Sequence, residues 1–254
     1  MAHEILTLKS VVKRFGGLTV VNDVSLSIHK GGMFGLMGPN GSGKTTLFNI
    51  ICGLYKPDRG KIFFDGTRID GLKPHKVFDL GLTRTFQIPR ILQRLTVLDN
   101  LLIASEGNPG EGLLGLFLRR GAWRRFEREK EMEAKEVLDL LGLKEYADRR
   151  ACELSGGQMK LLEIARALMT RPKVILLDEP TAGINPVLAT KIYKKIGEIR
   201  DELHVTFFII EHRANLLLRN VDWVYVMCRG RIVAEGEPHD VIKDPVVKET
   251  YLGG

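Results

Sequence analysis

Residues 38–46 of the chain, GPNGSGKTT, have the types and spacing needed to hold phosphate. Gly38, Pro39, Asn40, Gly41, Ser42, Gly43, Lys44 and Thr45 spell G-x-x-x-x-G-K-[ST] in full, and Thr46 follows. Glycines let successive backbone N–H groups turn inward onto phosphate oxygens. A helix starting near Lys44 would aim the positive end of its dipole at the same point. There Lys44 would reach the β- and γ-phosphates of a nucleoside triphosphate, and Thr45 would offer its hydroxyl to Mg2+. An ordinary strand-to-helix turn is the plainer alternative. Against it, an apolar run precedes the loop and KTTLFNIICGL, of helical composition, follows it, the order that a phosphate loop requires.

A second chemical cluster stands far downstream. In VILLDEP, Asp178 and Glu179 end a continuous apolar run, as in a parallel strand buried on both faces. Ligands of open α/β sheets bind at the carboxyl ends of strands. Two adjacent carboxylates there are costly unless charged partners meet them. Mg2+ would satisfy Asp178, leaving Glu179 to orient and polarise an attacking water. The plainer reading is an acidic pair before Pro180. His212 closes the next apolar run, VTFFIIEH, and from there it could donate to a γ-phosphate. A lone histidine is otherwise more often structural.

The stretch LSGGQMKLLEIARAL raises a different question. Ser155 sits where a helix N-cap belongs and Gln158 stands three residues on, the spelling of a capping box. Between them Gly156 and Gly157 leave bare N–H groups at the helix start, a second potential anion site. A well-capped helix is the simpler account, but it does not explain two glycines that weaken the first turn.

These groups must be positioned by surrounding elements. In DVSLSIH, Val24, Leu26 and Ile28 alternate with polar residues, the period of a half-buried strand. GKIFFDGTRI reads as another strand with a turn at Asp65-Gly66, and WVYVMCRGRIVAEG as a hairpin turning at Arg229-Gly230. Phe126, Lys130, Ala134, Val137, Leu138 and Leu141 fall on one helical face. A mainly helical insertion is expected over 92–169, and a helix over 186–203 between the two buried strands. The fold class that follows is α/β, a P-loop core of mixed sheet flanked by helices. It carries an N-terminal antiparallel β-subdomain and an inserted α-helical subdomain. The whole is one domain over 1–254, with core residues 1–91 and 170–254.

Composition narrows the function classes. The chain has 254 residues, 44% of them hydrophobic, enough for a real core. Cys52, Cys152 and Cys228 are scattered and odd in number, which argues against a disulfide framework and for a reducing cytosol. MAHEILTLKS is too charged for a signal peptide, and no apolar run approaches the roughly 20 residues of a membrane span. The net charge of +7 is compatible with an anionic partner or with a merely solvated surface.

Taken together, GPNGSGKTT, LSGGQ, VILLDEP and the histidine after the next strand resemble the ATP-binding cassette of ABC proteins over nearly the whole chain. The resemblance implies head-to-tail pairing with a second cassette. Each ATP would lie between the phosphate loop of one chain and Ser155, Gly156, Gly157 and Gln158 of the other. It also implies that Phe15 in KRFGG stacks on adenine, that Gln87 in RTFQIPR sits near Mg2+, and that TAGIN crosses the dimer interface. On residues alone, Phe15 and Gln87 are unremarkable. Two positions depart from the family pattern: Asn185 replaces a usual Asp, and Arg213 follows His212 where Asp or Asn is common.

RTFQIPRILQRLTVLDNLLIA, the long insertion over 105–128, TAGINP and DPVVKETYLGG resemble the branched-chain amino acid import ATPases of prokaryotes. That implies separate transmembrane permease subunits, indirectly a substrate-binding protein, and a place on the cytoplasmic face of the membrane. The ATPase of lipopolysaccharide export and urea or amide importers are the nearest alternatives. A soluble ABC ATPase acting on DNA or ribosomes fits poorly, because there is one phosphate loop and no sustained heptad pattern; no nucleic acid partner is expected. In the insertion, Leu113, Leu114, Leu116, Phe117, Leu118 and Trp123 stand beside Arg119, Arg120, Arg124 and Arg125. They suit a membrane or partner contact, or a helix packed on its own domain.

Overall fold

A computed structural model describes residues 3–85, 91–105 and 120–252. The chain forms two compact units, one of residues up to 87, 173–182 and 196–254, the other of 88–172 and 183–195.

The first unit opens with β1 (Glu4–Phe15), β2 (Leu18–His29), β3 (Met33–Met37) and α1 (Lys44–Ile51). It continues with β4 (Arg59–Phe64), β5 (Thr67–Arg68), α2 (Pro74–Asp79) and β6 (Leu82–Arg84). β2, β1, β4 and β5 lie side by side in that order as an antiparallel sheet. The alternation legible in β2 is real: Val24, Leu26 and Ile28 are buried while Ser25 is exposed.

The second unit contains α3 (Val97–Ala104), α4 (Arg120–Leu140) and α5 (Gly156–Leu168), which pack on one another. Ala134, Val137, Leu138 and Leu141 are buried along the expected face. Fully buried Asn100 organises the entry to α3: its amide donates to the carbonyls of Leu92 at 3.0 Å and Thr96 at 2.9 Å, and it accepts from Leu92 N–H at 2.9 Å.

The chain then returns through β7 (Val174–Asp178), α6 (Pro186–Leu203), β8 (Thr206–Ile210), α7 (Ala214–Leu218), β9 (Trp223–Cys228), β10 (Arg231–Gly236), α8 (Pro238–Val241) and α9 (Pro245–Leu252). Within the first unit, the larger sheet runs β10-β9-β3-β8-β7-β6. Its neighbours are parallel from β9 to β6, and β10 is antiparallel to β9. Every residue of β3, β7 and β8 is buried, as their unbroken apolar runs require of strands covered on both faces. Phe48 of α1 meets Phe208 of β8 with ring centroids 5.1 Å apart, so the helix after the phosphate loop is seated directly on the sheet. The β9–β10 turn has positive φ at both Arg229 (46°) and Gly230 (81°), the conformation whose twist matches a two-residue hairpin.

Candidate active site

Residues 38–43 form the connection from β3 to α1, and their backbone explains the sequence. A Cβ on Gly38 would lie 2.0 Å from the Met227 carbonyl oxygen, so no side chain fits there. The N-terminus of α1 has no side-chain cap and no acidic residue in its first turn. Lys44, at the first position of α1, is 5% exposed. Its ammonium donates to the carbonyls of Gly38 at 2.8 Å and Pro39 at 2.9 Å, and lies 3.4 Å from Ser42 Oγ. Burial lowers its pKa, while the nearby Glu179 and Asp178 charges act in the opposite sense. Asn40, Gly41 and Thr45 are exposed at this loop and helix start, and Thr46 is half-buried.

Asp178 ends β7 and is buried; Glu179 follows with φ of +50°, an uncommon left-handed conformation for a residue with a long side chain. Glu179 Oε1 lies 2.7 Å from Nε2 of His212. The structure therefore brings this sequence-predicted pair together. It corrects one detail: β8 stops at Ile210, and His212 stands two residues beyond it with its side chain 39% exposed. The cause is local. The Glu211 carboxylate accepts the backbone N–H groups of His212 at 3.0 Å and Arg213 at 3.3 Å, which takes them out of the ladder.

Arg84 was not legible as a site residue. Its guanidinium donates to Asp178 Oδ2 at 2.6 Å and to Asn49 Oδ1 at 2.5 Å, and lies 5.7 Å from the centre of the Phe48 ring. The Arg84–Asp178 pair is almost completely buried, at 7% and 3% exposure. Arg84 thus ties the end of β6 to the acidic end of β7 and to α1. Only the strand order, with β6 beside β7, reveals this link between residues 94 apart.

Phe15 closes β1 as a 43% exposed residue, edge-on to Tyr55 at 5.3 Å and with the Lys13 ammonium over its ring at 5.4 Å. Gln87 lies outside the described residues, as does the 106–119 part of the insertion with its Leu113 to Leu118 stretch.

In the second unit, Ser155 caps α5 and both halves of the capping box are present. Gln158 Oε1 accepts Ser155 N–H at 2.8 Å, and the Ser155 hydroxyl is 2.8 Å from the same oxygen. Ser155 and Gly156 are exposed, and Gly157 is buried. The second glycine is explained by packing: a Cβ on Gly157 would fall 2.2 Å from Leu188 Cδ2. Asn185 is exposed, and its Oδ1 accepts Leu188 N–H at 2.9 Å at the start of α6. A carboxylate would make the same cap, so the departure to Asn changes charge and not local structure.

The ABC transporter family model matches residues 21–182. The chain is 46% identical to a probable branched-chain amino acid transport ATP-binding protein, LivG, of Methanocaldococcus jannaschii, covering 98% of each chain. It is 43% identical to the LivG of Archaeoglobus fulgidus, covering 98% of this chain and 96% of the relative. Among solved structures, the ADP conformation of an ATP-binding cassette of an ABC transporter superposes with a TM-score of 0.86 at 45% identity, over 99% of this chain and 100% of that one. A dimeric cassette in a post-hydrolysis state, bound to ADP and Pi, gives 0.74 at 26% identity, over 92% and 98%. With its phosphate loop, buried Lys44 and paired Glu179 and His212, the chain belongs to the ABC transporter family, as one of its ATP-binding, ATP-hydrolysing cassettes.

Proposed function

We propose that this chain is the motor subunit of a branched-chain amino acid importer and that Glu179 and His212 carry its chemistry. The observation behind the catalytic assignment is their 2.7 Å contact at the carboxyl end of the larger sheet, within electrostatic reach of Lys44 for Glu179. The cargo class is supported by the names of its full-length relatives.

In this reading the loop of Gly38, Pro39, Asn40, Gly41, Ser42 and Gly43 turns its N–H groups onto the phosphates. Lys44 leaves the loop carbonyls for the β- and γ-phosphates, and Thr46 supports the loop. Phe15 stacks on adenine. The oxygen donors of Thr45, Asp178 and Gln87 suit Mg2+, which prefers hard oxygen ligands. When bound, Mg2+ neutralises phosphate charge. Arg84 donates to the Asp178 carboxylate and holds it in place. Glu179 orients the attacking water and takes its proton, a role in which a positioned carboxylate contributes about 100-fold or more. His212 donates to the γ-phosphate and steadies Glu179.

Two chains, or this chain and a sister, pair head to tail. Ser155, Gly156, Gly157 and Gln158 of one then close over the ATP of the other with the N-terminal turn of α5. Residues 92–169 act as the helical subdomain that passes closure to separate permease subunits, fed by a substrate-binding protein. No helix among the described residues is long and apolar enough to cross a membrane, in keeping with a peripheral subunit on the cytoplasmic face.

The test is the purified full chain carrying Glu179→Gln. ATP should drive it into a stable dimer by light scattering while turnover falls about 100-fold or more. Wild-type turnover would remove Glu179 from its role. Reconstituted with its permeases and binding protein in liposomes, the wild-type chain should hydrolyse ATP faster with leucine, isoleucine or valine. Stimulation by urea or lipopolysaccharide alone would overturn the cargo assignment.

A further inference from the structure

Glu211 is a buried carboxylate with no part in the chemistry described above. It is 2% exposed, and its neighbour across the fold, Thr181, is fully buried. Burying a charge this deeply is costly unless several donors meet it. Three do. Oε2 accepts the Thr181 hydroxyl at 2.5 Å, and Oε1 accepts the backbone N–H of His212 at 3.0 Å and of Arg213 at 3.3 Å. A carboxylate is acceptor-only, so it can take donors at both oxygens without ambiguity; an amide offers one oxygen only.

The consequence is a closed ring of residues. Glu179, Pro180 and Thr181 are consecutive, Thr181 is bonded to Glu211, Glu211 precedes His212, and His212 returns to Glu179 at 2.7 Å. The ring is stitched a second time where Glu179 N–H donates to the Ile210 carbonyl at 2.9 Å. Glu179 carries positive φ, so its backbone needs such support from its neighbours. Thr181 is also the last buried anchor before the chain passes at residue 183 into the other compact unit.

We propose that Glu211 is a positioning residue for ATP hydrolysis: it fixes Thr181 and the His212 backbone together and so holds Glu179 and His212 in register. This rests on the reading of Glu179 and His212 as the working pair. Glu211 touches no substrate. Its effect is on the geometry of the pair, so it should alter the rate of the chemical step and not the affinity for nucleotide.

The experiment uses the full chain with Thr181→Val, which keeps the shape and removes the donor, together with Thr181→Ser, Glu211→Gln and the double variant Thr181→Val/Glu211→Gln. Turnover at saturating Mg-ATP and binding of a fluorescent ATP analogue are measured well below the melting transition. Thr181→Val should lower kcat roughly 10- to 100-fold, the scale of one hydrogen bond to a charged group. Nucleotide affinity should stay within about 2-fold, and Thr181→Ser should restore turnover, since binding contacts are untouched. The double variant should lose less than the product of the two single losses, because both act on the same network. Wild-type kcat in Thr181→Val, losses that multiply in the double variant, or an affinity loss matching the rate loss would overturn the proposal. If Thr181→Val does not fold, Glu211→Gln decides by the same split between kcat and affinity. Glu179→Gln runs alongside: if it turns over normally the catalytic pair itself is wrong, whereas an inactive Glu179→Gln beside fully active Glu211→Gln and Thr181→Val refutes only the role of Glu211.

Discussion

At the scale of single residues, much of the candidate site is legible in order along the chain, because its motifs are contiguous. The phosphate loop, Asp178 and Glu179 need only their immediate neighbours to be recognised. Arg84 and Glu211 do not have that advantage. Each is an ordinary polar residue in its own segment, and each acquires meaning from a partner 94 or 30 residues away that the sheet order brings alongside. Cys52 shows how the same surroundings govern reactivity. It caps the C-terminus of α1, and burial pushes its thiol up to about 11, with the Arg84 charge acting in the opposite sense. The thiolate is the reactive form, so near pH 8 only a trace of Cys52 is available to attack. Cys152 is exposed. A disulfide reagent at pH 8 should therefore modify Cys152 rapidly and leave Cys52 intact until denaturant is added, as peptide mapping would reveal. Cys52 is half-buried, so rapid labelling in the folded chain would show that its thiol is not held as unreactive as its raised pKa implies.

At the scale of elements, hydrophobic period and capping signals carried most of the information. The helix expected over 186–203 is α6, the hairpin turn falls on Arg229-Gly230, and the helical face through Ala134 and Leu138 is buried. The end of β8 was misplaced by counting the polar residues Glu211 and His212 into the strand; the apolar run and the strand both stop at Ile210, and the Glu211 carboxylate takes up the next backbone N–H groups. The capping box of α5 was legible in full, although the reason for its second glycine was not: that lies in Leu188, on a different helix. Ser155→Ala removes the cap while leaving the glycines in place. It should destabilise the chain by about 1 kcal/mol, the usual worth of an N-cap serine, seen as a lower midpoint in urea with an unchanged slope. No change in midpoint would mean that the box contributes nothing beyond the packing of α5.

At the scale of the whole molecule, each compact unit has its own buried interior, and the unit that holds Lys44, Glu179 and His212 is assembled from three separate stretches of chain. Its stability is a global quantity, shared by every residue that the sheet and its helices hold in place. Glu179 draws on that reserve. A side chain with a Cβ at φ of +50° costs on the order of 1 kcal/mol, and glycine escapes this penalty. Glu179→Ala and Glu179→Gly both delete the carboxylate and its contact with His212, so their difference isolates the backbone. The glycine variant should melt above the alanine variant, although glycine is normally the more destabilising of the two. The reverse order in calorimetry would show that the conformation carries no strain. Both variants should be inactive. At this one position, then, the proposed mechanism sets heat tolerance against turnover: glycine would relieve the backbone and at the same time remove the carboxylate on which the proposed chemistry depends.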